Sequence, residues 1–266
     1  MGDESGRPLA VVTGASSGIG LELAREFVEH DFDVVMAAEN DAIEAAAAGV
    51  RKPQGTVIAV QVDLAVPNGV EQLFRQVQEL NRPVDALAVN AGVGVNGPFV
   101  ETKLEDHLRM INLNVTGAVH LTHLIVGGMA ARGQGGVLFT SSIAAEMPAP
   151  YLSTYAASKA FLFSFAEGLR VELKDAGVTV TALLPGPTDT DFFARADMED
   201  TKIGQMKKDD PRDVARDGFK ALMAGKDHVV AGSLKNKAQV AAAQVMADKA
   251  VAAIQGRMTK PGSGDD

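Results

Sequence analysis

The sequence predicts a single α/β domain built on a doubly wound parallel sheet of seven strands, and three features predict it. Short β-branched runs alternate with amphipathic segments from Leu9 to about Gly232, the pattern of a parallel sheet with helical crossovers. Most of the runs are continuously apolar, as strands covered on both faces require. A glycine-rich turn separates the first run from the first amphipathic segment.

The expected strands are Leu9–Thr13, Asp33–Ala38, Thr56–Val62, Asp85–Asn90, Gly136–Ser141, Thr179–Leu184 and His228–Ala231. Between the first two, Ile19, Leu23 and Phe27 recur at helical spacing while Glu22, Arg25, Glu26 and Glu29 take the wet side, which predicts a covering helix. Val70, Leu73, Phe74, Val77 and Leu80 repeat the pattern behind Pro67 and Asn68, a helix entry signal. Two longer helices are expected at about Leu104–Ala131 and Ser153–Ala176. Asp191–Asp210 mixes Phe192, Phe193 and Met198 with many charges and no steady period, so residues 188–210 are expected to form a mobile lid. Residues 234–258 are alanine-rich and predict a helical extension of the domain 9–233. Residues 1–8 and 259–266 read as flexible ends.

A chain of 266 residues with 46% apolar content can bury a large core. Its net charge of −9 leaves no basic surface of the kind that neutralises phosphates, so no nucleic-acid partner is expected. The absence of cysteine excludes disulfides, thiolate metal sites and a cysteine nucleophile. Met1–Pro8 has no apolar leader, and no stretch runs uncharged for the roughly 20 residues of a membrane helix. A cytoplasmic protein with no membrane partner is the expectation. His120 and His123 stand at i, i+3 with neither a cysteine nor a nearby acidic partner in the sequence, so no metal is expected. The glycine loop lacks the Lys-Ser/Thr ending of a P-loop, and Ser142 lacks the Gly-x-Ser-x-Gly frame of a hydrolase.

Gly14, Gly18 and Gly20 frame Ser16, Ser17 and Ile19 at the strand–helix junction. Such a turn lets a pyrophosphate approach the backbone, where the helix start offers unpaired N–H groups. The Gly-x-x-x-Gly-x-Gly spacing, with Thr13 ahead of it, resembles the nucleotide loop of the classical short-chain dehydrogenase/reductase family, and the resemblance runs from about Leu9 to Gly232. Asp63-Leu64 is similar to that family's adenine-contacting site, and Asn90-Ala91-Gly92 to its Asn-Ala-Gly turn. Both end strands, where open α/β sheets bind ligands.

Tyr155 and Lys159 are four apart and share a helix face, and Ser142 stands 13 positions before the tyrosine. A phenol with an ordinary pKa near 10 needs a neighbouring cation to act as a base near neutrality, and Lys159 can supply it. This Ser…Tyr-x-x-x-Lys arrangement resembles the family's active site, and Asn114 matches the fourth member of its tetrad. The resemblance implies a Rossmann-like fold and hydride transfer between NAD(P) and a small-molecule carbonyl or alcohol, with Tyr155 as acid/base. It further implies Ser142 at the substrate oxygen, Lys159 also on the nicotinamide ribose, and Asn114 on a water and proton route. Pro185-Gly186, followed by Thr188 and Thr190, is similar to the turn that meets the carboxamide. The family also implies a homo-oligomer, dimer or tetramer, through the two long helices.

Glu39 ends the second strand, where the adenosine ribose is expected, and Ser17 precedes the second loop glycine. Neither can pair a 2′-phosphate, so NAD(H) is expected over NADP(H). Were Glu39 turned to solvent, Arg51 or Lys52 could reach the phosphate and NADP(H) would be used. Val93, Val95, Met147, Pro148, Tyr151, Phe192, Phe193 and Met198 are the candidate substrate walls, which favours an apolar or aromatic carbonyl compound. Arg195, Lys202, Lys207 and Lys208 offer the alternative of an acidic group on the substrate. A reading from another class is a non-catalytic NAD(P)-sensing regulator of the same fold. It has no need of Asn114, Ser142, Tyr155 and Lys159 together.

Overall fold

A computed structural model of the chain describes residues 6–265, so most of the expected flexible segment 1–8 lies outside the described residues. The first half runs β1 (Leu9–Thr13), α1 (Gly18–Glu29), β2 (Asp33–Ala38), α2 (Ala42–Val50), β3 (Val57–Gln61), α3 (Pro67–Glu79) and β4 (Ala86–Val89). The second half continues with α4 (Leu104–Ile111), α5 (Ala118–Arg132), β5 (Gly135–Thr140), α6 (Ser153–Leu173) and β6 (Val178–Pro185). It closes with α7 (Phe192–Arg195), α8 (Lys202–Gln205), α9 (Pro211–Met223), β7 (His228–Ala231), α10 (Leu234–Val245) and α11 (Asp248–Thr259). The strands form one parallel sheet in the order β3-β2-β1-β4-β5-β6-β7. All seven expected strands are there, β1, β2 and β7 with the expected bounds and the other four with each end displaced by one residue.

Each strand divides its side chains between two helical layers, as the two-residue period demands. Val11, Leu87, Val137 and Phe139 pack with α3, α5 and α6. Val12, Ala88 and Leu138 pack on the opposite side with α1, α2 and α9. Burial on both faces explains why these strands read as continuous apolar runs.

Three expectations are corrected. The helix expected at Leu104–Ala131 is broken by a π-helical turn over Asn112–Gly117, because Asn114 spends its side chain on the backbone of a neighbouring loop. The segment 188–210 is folded into α7 and α8, with Thr201 buried and Phe193, Ala196 and Met198 packed in a small core with Ala149, Leu152 and Ala156. Beyond α11 the chain is docked rather than frayed. The Gly262 N–H donates to the Asp200 carboxylate at 2.7 Å, and the Lys202 N–H donates to the Ser263 hydroxyl at 3.0 Å. His120 also finds an acidic partner after all, contacting Glu71 of α3 at 3.0 Å. No helix among the described residues is long and apolar enough to cross a membrane.

Buried Asp33 fixes the entrance of β2. Its carboxylate accepts from the Thr56 N–H and from the Arg82 guanidinium, both at 2.6 Å. Removing one partner of a buried ion pair typically costs about 3–5 kcal/mol. Asp33→Ala should therefore lower the unfolding free energy by an amount in that range, read from a lower urea midpoint at constant slope, and a loss under about 1 kcal/mol would exclude this anchoring role.

Candidate active site

The carboxyl ends of the strands open onto one cleft, and nearly every site residue expected from the sequence lines it. Gly14, Ser16, Ser17, Gly18 and Ile19 come from the β1–α1 turn. Glu39 follows β2, Asp63 and Leu64 follow β3, and Asn90, Ala91 and Gly92 follow β4. Ser142 follows β5, Tyr155 and Lys159 project from α6, and Pro185, Gly186, Thr188 and Thr190 close the far side. Two expected residues stand one layer back. A side-chain carbon on Gly20 would lie 2.1 Å from the Gly14 carbonyl oxygen, so glycine is what lets α1 start tight against the turn. Asn114 is fully buried.

Asn114 accepts from the Val93 N–H at 3.0 Å and donates to the Val93 carbonyl at 3.0 Å. Its amide also donates to the Ser158 hydroxyl at 3.0 Å, which in turn donates to the Tyr155 carbonyl at 2.7 Å. A side chain on Gly92 would crowd the Lys159 ammonium, 3.0 Å away, and the Asn114 oxygen at 3.2 Å. The Lys159 nitrogen donates to the Thr140 carbonyl at 2.9 Å and stands 5.8 Å from the centre of the Tyr155 ring. Ser142 lies beside Tyr155 in the cleft and lowers the pKa of its phenol. Its own Oγ accepts from the Ala144 N–H at 3.1 Å, which orients it.

Burial pushes the Tyr155 phenol up to about 12, and the Ser142 hydrogen bond draws it partly back. Burial lowers the Lys159 ammonium to about 8. The lysine still carries its charge at neutrality, beside a phenol that holds its proton.

The turn half of the cleft fits a dinucleotide. Ser17 caps α1 without using its side chain, and the first turn carries no acidic residue, so its N–H groups face the cleft with no side-chain acceptor. Asn40 Oδ1 and Thr140 Oγ1 are buried in the lining without a hydrogen-bond partner, polar atoms that a bound ligand would satisfy. At the end of the cleft where the sequence reading expects the adenosine, Arg109 of α4 donates to Asp63 at 3.0 Å and pairs with Glu39. The sequence offered no sign of Arg109, because it arrives 70 positions after Glu39 from a different crossover. Arg51 is directed elsewhere, to the Val57 carbonyl.

The other half of the cleft is apolar. Val93, Met147, Phe192, Phe193 and Met198 line it as expected, whereas Val95, Pro148 and Tyr151 do not. The Tyr151 backbone instead anchors the 96–97 loop, accepting from the Gly97 N–H at 2.9 Å. Gln239, Gln255 and Thr259 line the cleft as well and were not expected, since nothing in the local sequence of α10 and α11 marks them. Arg195 bridges Asp191 and the Ser17 hydroxyl, at the phosphate turn rather than in the apolar half.

Comparison with known proteins agrees with this geometry. The short chain dehydrogenase family model matches residues 8–201. Oxidoreductase UcpA of Salmonella typhimurium is 30% identical over 223 residues, covering 84% of this chain and 82% of that one. Ketoacyl reductase HetN of Nostoc sp. is 30% identical over 177 residues, covering 66% of this chain. The match spans 62% of HetN's length, and 32% of that of the Mycobacterium tuberculosis protein EphD. Among solved structures, a short-chain dehydrogenase from Sphingobium yanoikuyae in complex with NADPH superposes with a TM-score of 0.78 at 28% identity. That likeness covers 84% of this chain and 87% of the other. The chain is thus a doubly wound α/β protein whose cleft opens at the carboxyl ends of its strands. It belongs to the short-chain dehydrogenase/reductase family.

The charge state of the site has a measurable consequence. Folded Lys159 loses its proton near 8 and the unfolded side chain near 10.5, so between those values the unfolded state binds more protons and stability rises with pH. Tyr155 acts oppositely, its contribution falling as pH climbs from 10.0 towards about 12. From pH 8 to 10 the unfolding free energy of the wild type should gain on that of Lys159→Met by on the order of 2 kcal/mol. Parallel profiles for the two proteins would contradict the buried, easily discharged amine.

Proposed function

We propose that the protein is an NAD(P)-dependent reductase or dehydrogenase of an apolar or aromatic carbonyl/alcohol pair, with Tyr155 as the acid/base. The observation that carries this reading is the position of the Tyr155–Ser142–Lys159 group, at the seam between the dinucleotide-shaped half of the cleft and its apolar half. Bound nicotinamide would supply or accept the hydride. In reduction, the Tyr155 hydroxyl gives its proton to the carbonyl oxygen while Ser142 donates a hydrogen bond to the same oxygen. The phenolate left behind is stabilised by the Lys159 charge, which offsets the burial that otherwise holds the phenol near 12. Asn114 positions rather than reacts, fixing Val93 and, through Ser158, the α6 turn that carries Tyr155. A regulator without chemistry gains nothing from so ordered an acid/base group.

Tyr155→Phe should lower kcat by about 10²–10⁴-fold, while the Kd of NADH from fluorescence titration stays within a few-fold. Retention of a tenth of wild-type kcat would end the assignment.

For the cofactor we propose NAD(H) over NADP(H). Around the adenosine end two carboxylates, Glu39 and Asp63, share the single guanidinium of Arg109, so the surplus charge is negative and opposes a 2′-phosphate. Arg109 softens that opposition. The ion pairs are half-exposed, so the arginine can turn to a phosphate at little cost. Glu39→Gln should thus improve NADPH binding by about tenfold or more, and Arg109→Gln should worsen it, in titrations read against NADH. An unchanged NADH/NADPH ratio in both variants would show that these residues do not face the ribose.

We also propose a homodimer or homotetramer. Leu104, Leu108 and Ile111 of α4 and Phe161 and Val171 of α6 are exposed apolar side chains, which supports pairing of these helices about a two-fold axis. A monomer mass in light scattering at micromolar concentration would count against it.

A further inference from the structure

The wall of the apolar half beside Met147 is closed by the chain beyond residue 201, outside the span that the family model matches. Gln239 of α10 and Gln255 and Thr259 of α11 supply it. Thr259 is committed to structure: its hydroxyl lies 2.7 Å from the Pro150 carbonyl and 2.8 Å from that of Gln255. Its own carbonyl accepts from Asn96 at 2.9 Å. The two glutamines are placed differently.

Gln255 is 8% exposed, and its amide nitrogen has a thioether for acceptor, Met147 Sδ at 3.0 Å. The Gln239 amide points at the same sulfur from 3.7 Å. Sulfur in a thioether is a weak acceptor, and a buried amide donor without a good acceptor forfeits most of the hydrogen bond it had in water. Ala149, Leu152 and Ile203 in the same lining offer no side-chain acceptor, and Met198 offers only a second thioether. The charged lining residues lie elsewhere: Glu39 and Asp63 at the adenosine end, Lys159 behind Tyr155, and Asp191 with Arg195 at the phosphate turn. Two convergent donors in an uncharged, apolar wall fit an uncharged oxygen.

We infer that Gln255, with Gln239 beside it, is a specificity-determining residue that binds a second oxygen on the substrate. The substrate class is then a carbonyl compound with an apolar body and a remote ketone, ester or hydroxyl oxygen. Its reacting carbonyl meets Tyr155 and Ser142 while the remote oxygen replaces Met147 Sδ as acceptor. This rests on the carbonyl-reduction reading above.

The test uses two probes of matched shape, 1,4-diacetylbenzene and 4-isopropylacetophenone, which differ at the remote end by an oxygen in place of a methyl group. After a twofold correction for its two carbonyls, the diketone should show kcat/KM about tenfold higher with the wild type. In Gln255→Met the ratio should fall about fivefold or more, the electron withdrawal by the second acetyl group being common to both proteins. Gln239→Met should lower it less, and it gives the same readout should Gln255→Met fail to fold. Binding is measured separately, as the Kd of each probe for the Tyr155→Phe–NADH complex by quenching of the dihydronicotinamide fluorescence. Equal affinities for the two probes, or a ratio unaltered by either glutamine substitution, would overturn the inference. Tighter binding of the diketone with neither probe reduced by the wild type would leave the glutamine assignment standing and remove the carbonyl chemistry beneath it.

Discussion

The site depends on how β1 and β4 are fastened together at their carboxyl ends. They are neighbours in the sheet although three crossovers, through α1, α2 and α3, separate them in the chain, and the crevice lies at this point, where the strand order reverses. Backbone groups at such a point are short of ladder partners. Thr13 and Asn90 supply them: the Thr13 hydroxyl accepts from the N–H groups of Asn90 and Ala91 at 3.0 and 3.1 Å. The Asn90 amide returns to the Thr13 carbonyl at 3.1 Å. Each such bond is worth about 1 kcal/mol net, but leaving its buried partners unmet costs about 1–3 kcal/mol, so the junction has one geometry. The glycine turn leaves from one side of it and the loop through Gly92 from the other.

From Gly92 the same order passes to the chemistry. The loop is thin enough at Gly92 for Lys159 and Asn114 to approach it, and Asn114 holds the next residue, Val93, by both backbone groups. A regular helix through this region would have no reason to open. The π-helical turn at Asn112–Gly117 sets Asn114 to face the loop on one side and Ser158 on the other, a use to which such turns are often put. The position of Tyr155 is therefore determined by contacts that begin at the sheet, not by α6 alone.

What the sequence made legible is what depends on short range. Two-residue and 3.6-residue periods located the strands and helices, and glycine spacing located the phosphate turn, because backbone conformation answers to neighbouring residues. The serine, tyrosine and lysine were legible because one helix and one strand end carry them. Arg109, Gln239 and Gln255 were not, since their meaning comes from partners tens of positions away: Glu39 and Asp63 for the first, Met147 for the others. The docked tail was missed for the same reason. Its polar, glycine-containing composition resembles a frayed end, and only the Asp200 acceptor, 62 positions from Gly262, reveals otherwise.

This division follows from what each half of the cleft must recognise. The pyrophosphate and the nicotinamide ribose are the same in every nicotinamide dinucleotide and are met largely by backbone N–H groups and by glycines that keep side chains away, so the sequence pattern is tightly constrained. The apolar half is bounded by side chains of α7, α8, α10 and α11, held in place by contacts such as Lys202 of α8 with Ser263 beyond α11 and Thr259 of α11 with Asn96 of the β4–α4 loop. Each of those side chains can change without disturbing the Thr13–Asn90 junction or the tetrad behind it. The apolar wall is thus built where the fold constrains the sequence least, and there the convergence of Gln239 and Gln255 on one sulfur bears on the proposed substrate more directly than the fold does.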